Sequence, residues 1–173
     1  MILVVSTSSP LVSVALLNEE GVLAHREKIA PRQASPAVFE MLRELKFDPA
    51  TADFFVADVG PGSFTGVRVG VTIAKTLAFA VGKQACGISA FKLITGERIA
   101  IPVRKNEYLL STGETVSSLP PGISGYGEGF ADQSYPLARN ASLKDLKPLA
   151  PELLVPDYRL EPSISFPKQP YHS

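Results

Sequence analysis

Gly60-Pro61-Gly62-Ser63-Phe64-Thr65-Gly66-Val67-Arg68-Val69-Gly70 joins a short apolar strand to a helical run that stops at Gly82. A glycine-rich turn in that place can cradle phosphate, because the amides of a helix N-terminus point outward there. The spacing is not that of the common nucleotide fingerprints, however. No Lys-Ser/Thr pair follows, and no acidic residue stands at the distance a dinucleotide site needs. Gly60, Pro61, Gly62, Ser63, Phe64 and Thr65 are a candidate site by position alone.

The helix carries more information. At about 100° per residue, Gly66, Gly70, Ala74 and Ala78 form a drifting ribbon of small side chains. Val67 and Val71 make one shoulder of the ribbon; Val69, Ile73 and Leu77 make the other. Thr65, Arg68, Thr72 and Lys75 fall on the opposite side. The apolar arc spans about 200°, roughly twice what a helix needs to cover one sheet face. Interior glycines cost about 1 kcal/mol each relative to alanine, so a close contact is expected to offset Gly66 and Gly70. Two occupants fit the ribbon: the chain's own first helix, with Val38 and Leu45, or a helix from another molecule. On the second reading Gly66, Val67, Arg68, Gly70, Val71, Ala74 and Ala78 are the candidate partner interface.

Upstream, residues 2–6, 11–17 and 22–29 read as strands, with a turn at Asn18-Glu19-Glu20-Gly21. Ser35-Pro36 is a helix-start signal, and Val38, Met41, Leu42 and Leu45 recur at helical spacing. Residues 53–59 and 84–88 add strands around the glycine loop, and 89–95 a short helix. The order β-β-β-α-β-α-β-α implies an α/β fold whose mixed sheet has helices on its faces. Beyond it, 97–101 and 107–110 look like strands. Six of the fifteen prolines lie from Pro148 onward, which predicts an extended tail.

The 173 residues suit one domain or two small lobes. Lys plus Arg and Asp plus Glu balance at 17 each, so the chain is not expected to hold nucleic acid by itself. The single cysteine, Cys86, excludes an internal disulfide and suits a reducing compartment. The opening Met1-Ile2-Leu3-Val4-Val5 is a strand rather than a signal peptide, and Arg68, Gly70 and Lys75 interrupt the longest apolar stretch, so no membrane span is expected. These features point to a cytoplasmic protein. Asp58, at the end of a strand, reads as a carboxylate bracing the loop. Arg68 suits a partner's carboxylate, a nucleotide phosphate or plain solvent.

The stretch from Gly60 to Gly70, continued by Ile73-Ala74 and Leu77-Ala78, closely resembles the signature of the TsaB (YeaZ) family. Ile2-Leu3 through Val14-Ala15-Leu16 is similar to that family's opening hairpin. Arg104-Lys105-Asn106-Glu107-Tyr108 resembles the start of its second lobe, and Pro156-Asp157-Tyr158-Arg159 its closing motif. The resemblance implies an actin-like ATPase (ribonuclease H-like) fold, with an N-terminal lobe over 1–95 and a shortened second lobe plus tail over 96–173. It implies a scaffold subunit that pairs with a TsaD-type paralogue, through helices that include the one after the glycine loop. That assembly threonylcarbamoylates the adenosine beside the anticodon of tRNA, with a TsaE-type ATPase joining it. A homodimer is expected when the partner is absent, tRNA contact only through the complex, and adenine nucleotide only at an interface with a partner.

Departures from the superfold favour a non-catalytic role with no metal of its own. Ser6, followed by Thr7, stands where the first strand usually ends in Asp. No histidine occurs in Arg32-Gln33-Ala34-Ser35, where the catalytic relative has its metal ligands. The two histidines, His25 and His172, are far apart in sequence. The rival readings are an autonomous nucleotide-hydrolysing enzyme of the same superfold and, well behind it, a peptidase; neither an activated nucleophile nor a paired metal site can be assembled from Cys86 and these histidines.

Overall fold

The structure, a computed structural model, describes residues 1–157. Its main sheet contains β1 (Ile2–Ser6), β2 (Leu11–Asn18), β3 (Gly21–Ile29), β4 (Phe54–Asp58) and β5 (Gln84–Ile88), in the spatial order β3-β2-β1-β4-β5. The first three strands form an antiparallel meander, and β1-β4 and β4-β5 are parallel. β1 is central, and all five of its residues are buried. A near-continuous apolar run with two covered faces is what such a strand requires.

Side-chain alternation sorts the two faces. Leu3, Val5, Val12, Val14, Phe55 and Ala57 face α1 (Ala34–Glu44) and α2 (Phe64–Ala80). Ile2, Val4, Ala15, Leu17, Val56, Cys86 and Ile88 face the other way, onto Leu93 and Ala138. Both α-helices therefore lie on one face; the opposite face, expected to carry a helix, is covered by 3₁₀ turns at Ala90–Leu93 and Ala138–Asn140. α1 begins one residue ahead of Ser35, at Ala34. Ser35 and Pro36 occupy its first turn, where the missing proline N–H has no intrahelical partner to lose. Both helices end alike. Phe47 N–H donates to Leu42 C=O and Lys83 N–H to Ala78 C=O, with Lys46 and Gly82 at positive φ.

A second sheet, β6 (Ala100–Arg104), β7 (Glu107–Leu110) and β8 (Thr115–Val116), is a small antiparallel meander. Its first strand starts at Ala100, not at Glu97. Gly96 sits at φ +150° and Ile99 bridges Ser124, so the chain is still turning there. The expected division after residue 95 is crossed by the downstream chain. Ala138, Leu143 and Leu146 return to the first sheet's open face, and Leu149 pairs with Ala85 through two hydrogen bonds of 2.8 and 3.0 Å along the edge of β5. Leu149 and Leu154 then join the helix-side core. The proline-rich segment is thus docked as far as Asp157, whose N–H donates to Val59 C=O. Tyr158, Arg159, His172 and the prolines from 162 onward lie outside the described residues.

Leu154 is 3 % exposed and packs beside Gly87, which has no side chain to compete with it. Leu154→Ala is expected to destabilise the fold by about 2–5 kcal/mol, read as a lowered urea midpoint at unchanged slope. A cost under about 0.5 kcal/mol would show that the returning segment does not close the core.

Candidate functional site

β1 and β4 run parallel, so their C-terminal ends open at the same edge of the sheet, where ligands bind in folds of this class. The alternation of β1 continues beyond its end. Ser6 and Ser8 point to the face away from the helices, and Thr7 points to α2. All three are buried. Asp58 ends β4 on the same face as Ser6 and Ser8, and it is fully buried.

Asp58 Oδ1 accepts the Gly60 N–H at 2.8 Å, and Oδ2 accepts the Ser6 hydroxyl at 2.7 Å and the Ser8 hydroxyl. The loop-bracing role expected of Asp58 is what these bonds describe. Burial pushes its carboxyl above the usual aspartate range; the hydrogen bonds from Ser8, Gly60 and Ser6 pull the other way. The Ser6 hydroxyl stands between two acceptors. Its Oγ lies 2.7 Å from Asp58 and 3.1 Å from the Pro136 carbonyl but has one proton to give. A protonated Asp58 can donate to that oxygen and free the hydroxyl proton for Pro136. Beside this group Tyr126, stacked on Tyr135 at 5.2 Å, is 4 % exposed, and burial holds its phenol well above the ordinary range.

On the other side Thr7 Oγ1 donates to Gly66 C=O at 2.8 Å. A methyl group on Gly66 would stand 2.0 Å from the Thr7 carbonyl oxygen, and one on Gly70 would stand 2.4 Å from Thr7 Oγ1. These contacts correct the interface expectation. Gly66, Val67, Gly70, Val71, Ala74 and Ala78 are buried within the chain itself. The glycine end of the ribbon is filled by neither a foreign helix nor α1, but by the turn after β1. Of that interface set only Arg68 is exposed. The outward side of α2 instead presents Phe64, Arg68, Thr72, Thr76 and Phe79, spaced to form one stripe. Phe64 is 40 % and Phe79 78 % exposed, and the Arg68 guanidinium lies over the Phe64 ring at 5.4 Å.

The glycine loop is shut by the same turn. Ser63 N–H donates to Ser8 C=O at 2.7 Å, and a methyl on Gly62 would stand 2.4 Å from that same carbonyl oxygen. Gly66 N–H is taken by the Ser63 hydroxyl at 3.2 Å, which caps α2. Pro61 is buried, while Phe64 and Thr65 face outward. With Gly60, Ser63 and Gly66 amides already committed and a carboxyl group behind them, the loop interior does not fit a phosphate. Among the described residues no cluster of His, Cys, Asp and Glu has the grouping of a metal site. His25 is in β3 on the far side of the sheet order, and the Cys86 thiol is buried and pushed up by burial, with Lys147 N–H donating to its sulfur at 3.1 Å. Neither is set up as a nucleophile or base. No described helix is long and apolar enough to cross a membrane. Thr7, Ser8 and Tyr126 are the site residues that sequence reasoning missed. The available signal was the run Ser6-Thr7-Ser8-Ser9 following a fully apolar strand.

This geometry has two measurable consequences. Gly70→Ala is expected to destabilise despite the gain in helix propensity, and Thr7→Ala should recover much of the loss, a coupling of about 1–3 kcal/mol in a double-mutant cycle. Gly66→Ala, opposed by backbone, should not be recovered. Equal rescue of both, or of neither, would break the account of the ribbon. The second consequence concerns pH. Because the folded pKa of Asp58 is raised, its contribution to stability is fully present below the unfolded value of about 3.8 and declines as pH rises through the folded value. Asp58→Asn has no proton to lose. Urea midpoints from about pH 4 to 8 should therefore show the wild type losing stability relative to the variant; the opposite slope would mean that the native group is the carboxylate.

The comparisons with known proteins agree with this fold. The family model of TsaD, tRNA N6-adenosine threonylcarbamoyltransferase, matches residues 23–99. The tRNA threonylcarbamoyladenosine biosynthesis protein TsaB of Bacillus subtilis is 36 % identical over 97 residues, 54 % of this chain and 42 % of that protein. Its Escherichia coli counterpart is 35 % identical over 95 residues, 51 % of this chain and 39 % of that protein. The chain thus spans less than half the length of these relatives. The solved structure of YeaZ from Pseudomonas aeruginosa superposes with a TM-score of 0.69 at 23 % identity, over 91 % of this chain and 98 % of that one, a likeness of fold. The chain is thus similar to TsaB (YeaZ) proteins, in sequence over about half of its length and in fold over most of it.

Proposed function

We propose that the chain is a non-catalytic subunit that pairs with a TsaD-type paralogue in threonylcarbamoylation of the adenosine next to the anticodon in tRNA. The observation that carries this reading is the closed glycine loop, with Ser6 tied to a buried Asp58 at the place where the superfold usually offers a free carboxylate. Such a centre can hold the loop in shape but has no open position for a phosphate or a metal-bound water. The names of the B. subtilis and E. coli relatives supply the pathway. The outward stripe of α2 supplies the surface: two exposed phenylalanines and a guanidinium are the residue types that anchor protein interfaces. The balanced charge leaves tRNA to be held by the assembled complex. In this reading a TsaE-type ATPase joins the complex, adenine nucleotide binds only at a subunit interface, the free chain forms homodimers, and the assembly works in the cytoplasm.

The test is reconstitution of the full chain with the TsaD-type paralogue of the same organism. A one-to-one complex is expected by light scattering, and Phe79→Asp should weaken it about tenfold or more with no loss of melting temperature. Asp58→Asn, if folded, should support tRNA modification as well as wild type. An assembled but inactive Asp58→Asn complex, or steady ATP turnover by the isolated chain, would defeat the non-catalytic reading in favour of a nucleotide-hydrolysing enzyme.

A further inference from the structure

The first turns of α1 and α2 flank a groove that the closed loop leaves outside. It consists of two adjoining hollows, of about 600 Å³ and 330 Å³, sharing Ser35, Thr65 and Val69 as a common wall. Arg32 lines the larger hollow and Arg68 the smaller. No Asp or Glu lines either one, although the chain carries as many acidic as basic residues. Among the described residues neither arginine has a carboxylate within ion-pair distance. Neither helix has an acidic residue in its first turn, so nothing there offsets their positive ends.

We propose that this groove receives a carboxylate side chain of a protein partner, gripped by Arg32 and Arg68. The proposal rests on the pairing reading above and deepens it. The Arg68 guanidinium is held over the Phe64 ring, its central carbon 5.4 Å from the ring centroid, and a guanidinium can meet a carboxylate in two-pronged fashion. The hydroxyls of Ser35, Thr65 and Thr72 line the same walls as further donors. Arg32 holds a backbone φ of +62° at the mouth of α1, a conformation that a non-glycine residue keeps only when its surroundings enforce it. Two features favour a protein side chain over a phosphate group. Val69, Ile73 and Pro36 give the walls an apolar share that suits the carbon stem of Asp or Glu and its neighbours, and Arg68 and Thr72 belong both to the groove and to the exposed stripe of α2, so one partner can cover the two together.

The experiment measures the affinity of the full chain for the TsaD-type paralogue at increasing salt, for wild type, Arg32→Gln/Arg68→Gln and Arg68→Lys, with Lys144→Gln as a control away from the groove. The expected result is wild-type binding that weakens steeply between about 50 and 300 mM NaCl, a double variant about tenfold weaker or more at low salt with a flattened salt dependence, and an intermediate Arg68→Lys. Melting temperatures should stay within a few degrees of wild type; Arg68→Lys, which keeps the charge, carries the test if the double variant does not fold. Wild-type pairing matched by the double variant in both affinity and salt dependence overturns the groove and leaves the pairing reading standing. Absence of wild-type pairing overturns both. Binding of ADP or inorganic phosphate to the isolated chain, lost in the double variant, overturns the carboxylate assignment in favour of a phosphate occupant.

Discussion

The contact between Thr7 and the first two turns of α2 is the constraint on which the architecture depends. A helix can approach a β-turn to within bonding distance of its backbone only where side chains are missing, and Gly66 and Gly70 supply that gap. The helix gives up roughly 2 kcal/mol of propensity for the two residues together. In return the buried Thr7 hydroxyl is satisfied by Gly66 C=O and the apolar flank of α2 reaches the sheet. Because strand alternation throws Ser6 and Ser8 to the opposite face, the same short turn also meets Asp58. One tripeptide therefore ties the helix layer, the central strand and the glycine loop into a single unit.

That arrangement separates two tasks which phosphate-gripping folds combine at one place. In such folds the strand-to-helix turn both shapes the scaffold and touches the ligand. Here the inside of the turn is occupied by the chain's own carbonyl and hydroxyl groups, and the features able to meet another molecule lie on the outer side of the same helix: Phe64, Arg68, Thr72, Phe79 and the groove toward α1. In the proposed pairing, rigidity on the inside serves recognition on the outside, since a surface that is already ordered loses little entropy on binding.

Much of the fold was legible because burial and periodicity carry it. The apolar run Ile2–Val5 of β1, the Asn18–Gly21 turn, and the spacing of α1 and α2 each left a pattern that packing then used. The wide apolar arc on α2 implies more than one covering surface, but periodicity reports which side is buried, not what buries it. A lone threonine in a Ser/Thr run looks like a turn residue, not like the group that fills a glycine gap in a helix. Asp58 was placed by its position at a strand end, whereas its partners Ser6 and Ser8 depended on the register between β1 and β4, a non-local fact. β6 starts three residues later than the sequence suggests, because Gly96 and the Ile99–Ser124 bridge keep the chain turning, whereas β7 coincides with the expected 107–110. Nothing in residues 136–157 announces that they return to the first sheet. They hold no long periodic run, and what brings them back is the open edge of β5 and an uncovered sheet face.

The docking of Leu149 and Leu154 beside β5 has a bearing on how the chain comes to be folded. The strand they complete was laid down more than sixty residues earlier (Ala85 to Leu149). Until Leu149 has been made, the backbone edge of β5 lacks the partner it has in the finished fold. Unpaired strand edges of nascent chains invite pairing with neighbours. The border of the sheet is therefore sealed only after the downstream chain has been made.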